Sequence, residues 1–323
     1  MDDDSLDGGQ SPDRERGGPS WAPFFTDQQW DQFIFEVKVY FANRSLPIEI
    51  EQGVVKVRTA EREVHQLGLS NLAQMCHAAE RGEWSAIVSR HFEMLERSQE
   101  EVKAAEEDIF DFGLTRDKLH VRISDEDSIP EDLVVHRQDL PGTLSYLVLD
   151  LPSSVLNVKP IDAEMWGRSV DELFETAINN VQTNCKPQIS EQVLQGGVKI
   201  TALLGDSFFV ASLALRLEKY SRCVGTYGSL VAIPHRHCLL AYRIESLEVV
   251  SVVSTLGIIA RGMCEEGPGS ISPRLYWYRD GQFMDLPYEI EDDSFMFRPP
   301  EAFVELLEEL GKGDEGGAES PFE

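Results

Sequence analysis

The stretch Leu230-Val231-Ala232-Ile233-Pro234-His235-Arg236-His237-Cys238-Leu239-Leu240-Ala241-Tyr242 decides the class of fold. Two short apolar runs, Leu230 to Ile233 and Cys238 to Tyr242, flank a turn made of Pro234, His235, Arg236 and His237. Strand-forming runs so closely joined predict an antiparallel hairpin, because a parallel pair needs a crossover of about a dozen residues or more. After the hairpin, Leu247, Val249, Val250, Val252, Val253, Leu256, Ile258 and Ile259 predict a helix over 246–261. It carries too many apolar residues for one narrow stripe and is expected to be covered on several sides. Arg274 to Tyr278 and Gln282 to Leu286 then flank Arg279-Asp280-Gly281, and Asp-Gly is a strong hairpin turn. Before the hairpin, a strand at Val198 to Leu204 leads into a helix predicted over 207–220.

The first half reads similarly. Thr26 and Gln29 form a capping box, followed by Trp30, Phe33, Ile34, Val37 and Phe41 on one helical face. Pro47 to Ile50 and Val54 to Val57 flank Glu51-Gln52-Gly53 as a strand pair. Helical periodicity returns from Ser70, breaks at Gly82 and resumes from Trp84 to about Glu107. Strands follow near Leu119 to Ile123, Leu144 to Asp150 and Val155 to Val158, then a helix capped by Ser169 and Glu172. The class is therefore α+β, with antiparallel hairpins alternating with single helices. Both halves run helix, hairpin, helix, strand pair, helix, an order that suggests two similar halves. Four segments are expected: a disordered acidic tail over 1–20, a helix-hairpin-helix portion over 21–115, an α+β portion over 116–310 that can share a domain with it, and a second disordered acidic tail over 311–323.

Among 323 residues, 57 are Asp or Glu and 29 are Lys or Arg, for a formal net charge of -28. Such a field repels nucleic-acid backbones and anionic lipid and attracts cationic partners. The start, Met1-Asp2-Asp3-Asp4, is acidic where a secretory signal is basic and then apolar, so a cytoplasmic location is expected. The longest apolar stretch, Leu247 to Ala260, is shorter than a membrane span and carries Glu248, so no membrane partner is expected. Five cysteines without a CxxC pair read as free thiols.

Leu72 within Leu69-Ser70-Asn71-Leu72, the run Leu144 to Asp150, the helix from Ser169 to Asn180, Gly205-Asp206, Val231 to Pro234 and Ser272 to Tyr276 carry a resemblance. In order and spacing they resemble the bacterial family filed as domain of unknown function 1444, over roughly residues 50–290. The resemblance implies no activity and no catalytic residues. It also implies small polar or acidic residues where this chain has His235 and His237, so a role for these histidines would be peculiar to this chain.

The densest reactive cluster is His235, Arg236, His237 and Cys238. Two imidazoles and a thiol are zinc-type donors, although a tetrahedral site needs a fourth ligand and strand alternation sends His237 and Cys238 to opposite faces. Gly205-Asp206-Ser207, where a strand meets the predicted helix, reads as a helix cap rather than an anion cradle, since Asp206 would repel an anion. Cys264 sits among acids that raise a thiol pKa. His91 lies on an apolar helix face. The acid runs Asp125-Glu126-Asp127 and Glu289, Glu291, Asp292, Asp293 lack the spaced ligands and glycine of a calcium loop. No cofactor is expected. The expected function is a non-enzymatic protein-binding or regulatory module whose acidic surface engages a cationic protein. The alternative is a metal-assisted hydrolase centred on His235, His237 and Cys238.

Overall fold

The structure, a computed structural model, describes residues 18–58, 64–194, 196–291 and 294–315. The chain divides into two compact units, one up to His91 and one from Phe92 onward. The division falls inside a helix rather than at the expected boundary of 115/116.

In the first unit, α1 (Asp27–Asn43) begins at the capping box: Gln29 N donates to Thr26 Oγ1 at 3.3 Å, and Thr26 N donates to Gln29 Oε1 at 2.9 Å. Its face of Phe33, Val37, Tyr40 and Phe41 is buried. Phe25 meets both Phe33 and Trp84 at 5.4 Å between ring centroids, so aromatic packing ties the segment before the helix to the core. β1 (Ile48–Glu51), β2 (Val54–Arg58) and β3 (Val64–Gly68) form an antiparallel meander. Gln52 and Gly53 both have positive φ, 46° and 80°, as a two-residue hairpin turn of the favoured hand requires. The third strand was not anticipated. α2 (Ser70–His77) and a short 3₁₀ turn at Arg81–Glu83 lead to α3 (Trp84–Asp108), with the break where Gly82 predicts it.

The second unit takes up the end of α3, whose Val102 and Ala105 pack in its core. After α4 (Phe112–Thr115), four strands form one sheet: β4 (Leu119–Asp125), β5 (His136–Arg137), β6 (Thr143–Asp150) and β7 (Val155–Asn157). β6 pairs with the other three. α5 (Pro160–Met165) and α6 (Val170–Asn184) follow, the latter opened by the Ser169 and Glu172 box.

The second sheet has six antiparallel strands in the order β13-β12-β10-β11-β9-β8. They are β8 (Gln188–Val193), β9 (Lys199–Leu204), β10 (Ser229–Ala232), β11 (Cys238–Arg243), β12 (Leu275–Arg279) and β13 (Gln282–Asp285). The hairpin of β10 and β11 lies at its centre, and Asp280 and Gly281 turn the second hairpin with φ of 51° and 80°. Gly228 opens β10 with φ of +89°, and a Cβ there would lie 2.2 Å from the Tyr278 carbonyl oxygen, so only glycine lets these strands meet.

Strand alternation gives this sheet two buried faces. Leu230, Ala232, Cys238, Leu240 and Trp277 share one core with α7 (Val249–Glu266) and α8 (Glu301–Glu315). Val231, Leu239, Ala241 and Tyr276 share the other with α6 and the four-stranded sheet. A two-stranded ribbon, β14 (Tyr288–Glu291) and β15 (Ser294–Phe297), lies against α7, where Tyr288 Oη donates to Gly257 O at 3.0 Å.

Several expectations are corrected. Residues 207–220 form no α-helix: a 3₁₀ segment spans Ala211–Lys219 and breaks at Arg216, whose φ of -141° is not helical. α7 is covered by the sheet and the ribbon, yet Val250 and Ile258 remain exposed, so its cover is incomplete. Residues 311–315 continue α8 instead of starting a tail, whereas most of the two expected tails, residues 1–17 and 316–323, lies outside the described residues. The four sheets described have different strand numbers and orders, so the suggested repeat does not extend to topology.

Candidate functional site

The sequence motifs at 205–207 and 235–238 meet at one end of the six-stranded sheet. β9 and β11 are neighbours, so their ends lie side by side: Gly205 N donates to His237 O at 3.2 Å, and His237 Nδ1 lies 3.1 Å from Gly205 O. Only a protonated Nδ1 satisfies that carbonyl, which leaves Nε2 as an acceptor, and Arg236 Nε donates to it at 2.9 Å. Both nitrogens of His237 are therefore engaged. Burial and then the neighbouring Arg236 charge hold its pKa below the ordinary imidazole value, against the pull of the Gly205 and Ser207 carbonyls and Asp206. His235 Nδ1 accepts from His237 N at 3.3 Å, and its pKa is pushed down to about 4 by burial, then by His237 and Arg236.

Cys238 shares the α7 core with Leu240, and burial pushes its thiol up to about 12. Among the described residues, no group of three or more His, Cys, Asp or Glu side chains is placed to hold a metal ion. His235, His237 and Cys238 do not form such a group, so the hydrolase reading centred on them gains no support from the described residues. Ser207 caps no α-helix; its Oγ accepts from Phe209 N at 3.2 Å in a local turn. The 3₁₀ segment is instead capped by the hairpin turn, since Ala211 N donates to Arg236 O at 3.2 Å.

The turn's business is to hold Arg236. Its guanidinium lies 4.7 Å from the Phe208 ring centroid and against Gly269, where a Cβ would approach Arg236 Cδ to 2.7 Å. Burial and the nearby Arg122 charge push its pKa down to about 10. Arg122 comes from β4, opposite Tyr146 of β6, with its guanidinium 5.9 Å from that ring centroid. Neither Arg122, Tyr146 nor Phe208 stands out in the sequence. Arg122 alternates with Val121 and Ile123, a pattern that reads as a solvent-facing position, and only the fold roofs it.

The remaining candidates are dispersed. Cys264 lines a cavity of about 530 Å³ with Arg261, Arg274, Asp285 and Tyr288, and its thiol is pushed up to about 11, by burial first and by Glu265 and Asp125 after it. All five cysteines are free. His91 is half-buried on α3. Asp125 Oδ1 accepts from Asp127 N at 3.0 Å within its own turn, while Asp292 and Asp293 lie outside the described residues.

One end of the six-stranded sheet is open. β8 is the terminal strand and pairs only with β9. Leu194 N donates to Val198 O at 2.7 Å, and antiparallel alternation then turns the backbones of Ser190 and Gln192 toward β9 and those of Ile189, Glu191 and Val193 away from it. Ile189 and Val193 are 41% and 65% exposed, so the free edge is also partly apolar. No helix among the described residues is long and apolar enough to cross a membrane. The chain matches no family model, no curated protein and no solved structure.

Proposed function

We propose that this chain is a non-enzymatic protein-binding module, in which the six-stranded sheet receives an extended segment of a cationic partner protein along β8. The observation that carries the reading is the free edge itself, with outward backbone groups at Ile189, Glu191 and Val193 beside exposed Ile189 and Val193 side chains. Such an edge is a template for strand addition, and native proteins usually blunt theirs with prolines, bulges or lysines. Within β8 the only charge is Glu191, which pairs with Lys199 at 2.8 Å. The -28 net charge supplies long-range attraction for a cationic partner, while backbone pairing supplies the grip. The reading places the protein in the cytosol, because five unpaired cysteines suit a reducing compartment.

The test is site-specific photocrosslinking from Val193 in a lysate of the source cells, with the same group at exposed Ile161 as control. Adducts specific to Val193 are expected, weaker at moderate than at low salt, and lost in Ile189→Pro. That substitution removes an outward N–H without touching the β9 ladder. Identical adduct patterns from both positions would overturn the reading.

A further inference from the structure

Besides its free backbone groups, β8 offers an incoming strand a defined row of side chains. Alternation places Ile189, Glu191 and Val193 on one face of the sheet and Gln188, Ser190 and Gln192 on the other. Two contacts agree with this. Glu191 Oε1 lies 2.8 Å from Lys199 Nζ, diagonal to its register partner Thr201, and Gln192 Nε2 donates to Ser190 Oγ at 2.9 Å two residues along the strand.

The first face alternates in kind along its row. Ile189 stands exposed beside buried Leu203 of β9, and Val193 stands exposed beside Lys199. Between them Glu191 keeps its side chain 59% exposed, so its carboxylate is accessible from the free side of the edge even with Lys199 on the other. The second face is uncharged and polar, and Gln192 is already spent on Ser190 there.

A strand added to this edge sets one side chain opposite each of the three, with Cβ atoms about 5 Å apart. Opposite charges in such a pair stabilise, like charges destabilise, and apolar pairs gain by covering each other. Lys199 belongs to the next strand inland, so it lies two strand spacings, about 10 Å, from the newcomer. The remaining cations of this region are at β9 or beyond: Thr201 Oγ1 donates to Arg222 O, and Arg243 ends β11 beside Glu245. Salt screens exposed charges over about 8 Å, so Glu191 sets the preferred charge at the middle position.

We propose that β8 selects extended segments of the pattern apolar-x-basic-x-apolar, in which a lysine or arginine faces Glu191, apolar residues face Ile189 and Val193, and uncharged polar residues fill the two x positions. The pattern reads the same from either end, so it holds for a parallel or an antiparallel newcomer. It rests on the reading of β8 as a docking edge and adds which segment that edge takes.

The experiment uses three synthetic peptides with identical polar flanks and the cores Val-Thr-Lys-Thr-Val, Val-Thr-Glu-Thr-Val and Val-Val-Lys-Thr-Thr, the last with the composition of the first but the alternation broken. Each is titrated into the full chain, with fluorescence anisotropy reporting affinity and hydrogen exchange at the Ile189, Glu191 and Val193 amides reporting place. The first peptide should bind about three- to tenfold more tightly than either of the others and should slow exchange at all three amides. In Glu191→Lys the lysine-centred and glutamate-centred peptides should change order, whereas Glu164→Lys, an equal change of net charge at another exposed position, should keep it. The wild-type comparison stands even if a variant does not fold. Equal affinities with all three amides protected would overturn the selection and leave the docking edge intact, whereas no protection by any peptide would overturn both. A reversal in Glu164→Lys as well would also overturn the pairing, because the overall field and not Glu191 would then be choosing.

Discussion

The two faces of the six-stranded sheet are roofed in different ways. Toward α7 and α8 the cover is regular helix, and the core is apolar: Val252, Val253, Leu256, Phe303 and Leu306 over Leu230, Leu240 and Trp277. Toward the other side the cover is α6, the four-stranded sheet and the 3₁₀ segment Ala211–Lys219, and polar groups are buried with it. His120 is 2% exposed against the Phe209 ring, Ser229 Oγ donates to Cys223 O, and His237 serves Gly205 O. A helix satisfies its own backbone, so it can lie on a sheet with apolar side chains alone. Loops bring carbonyls and amides that side chains must satisfy, as His237 does for Gly205 O.

The largest effects should not distinguish the faces. Leu256 and Leu239 are each fully buried, one on either side, and truncation to alanine should cost about 2–5 kcal/mol at both through lost transfer energy and a cavity. Urea unfolding measures this, and a loss below about 1 kcal/mol for Leu256→Ala alone would mean that α7 is not a true roof. The difference should appear in acid. His235 titrates near 6.5 when unfolded and near 4 when folded, so the unfolded chain binds the extra proton between these values. Its contribution is complete above about pH 6.5, declines as the pH falls and is gone below about 4. Allowing for screening of a partly exposed ring, the loss is about 1–3 kcal/mol, and unfolding at pH 7 and pH 4.5 should show it reduced in His235→Gln. The smallest effect belongs to the outer side of α7: Ile258 is 55% exposed, and Ile258→Ser should change stability by less than about 0.5 kcal/mol. A larger loss there would show that something covers that side in solution.

The elements that were legible are those whose signals are local. The Thr26 and Gln29 box, the Ser169 and Glu172 box and the Asp280-Gly281 turn appear where the residues place them, because capping and positive φ are settled within a few residues. β8 was missed for a physical reason: an edge strand exposed on both faces, Gln188 to Val193, carries no buried alternation. The ribbon of β14 and β15 was hidden in the same way, its polar positions reading as an acidic loop. Residues 207–220 show the opposite error, since helical apolar spacing there serves a 3₁₀ path bent at Arg216.

By itself the sequence determined the α+β class, the central hairpin, the buried helix after it and a strongly negative field, all properties of composition and short-range pattern. Tertiary structure alone decided that Cys238 is buried in the core with α7 and that His237 meets Gly205 from another strand's end. It also decided which strand ends the sheet unpaired. Such questions turn on which distant segments pack together, and that is fixed by the burial of apolar area across the whole unit rather than by any residue's neighbours in the chain.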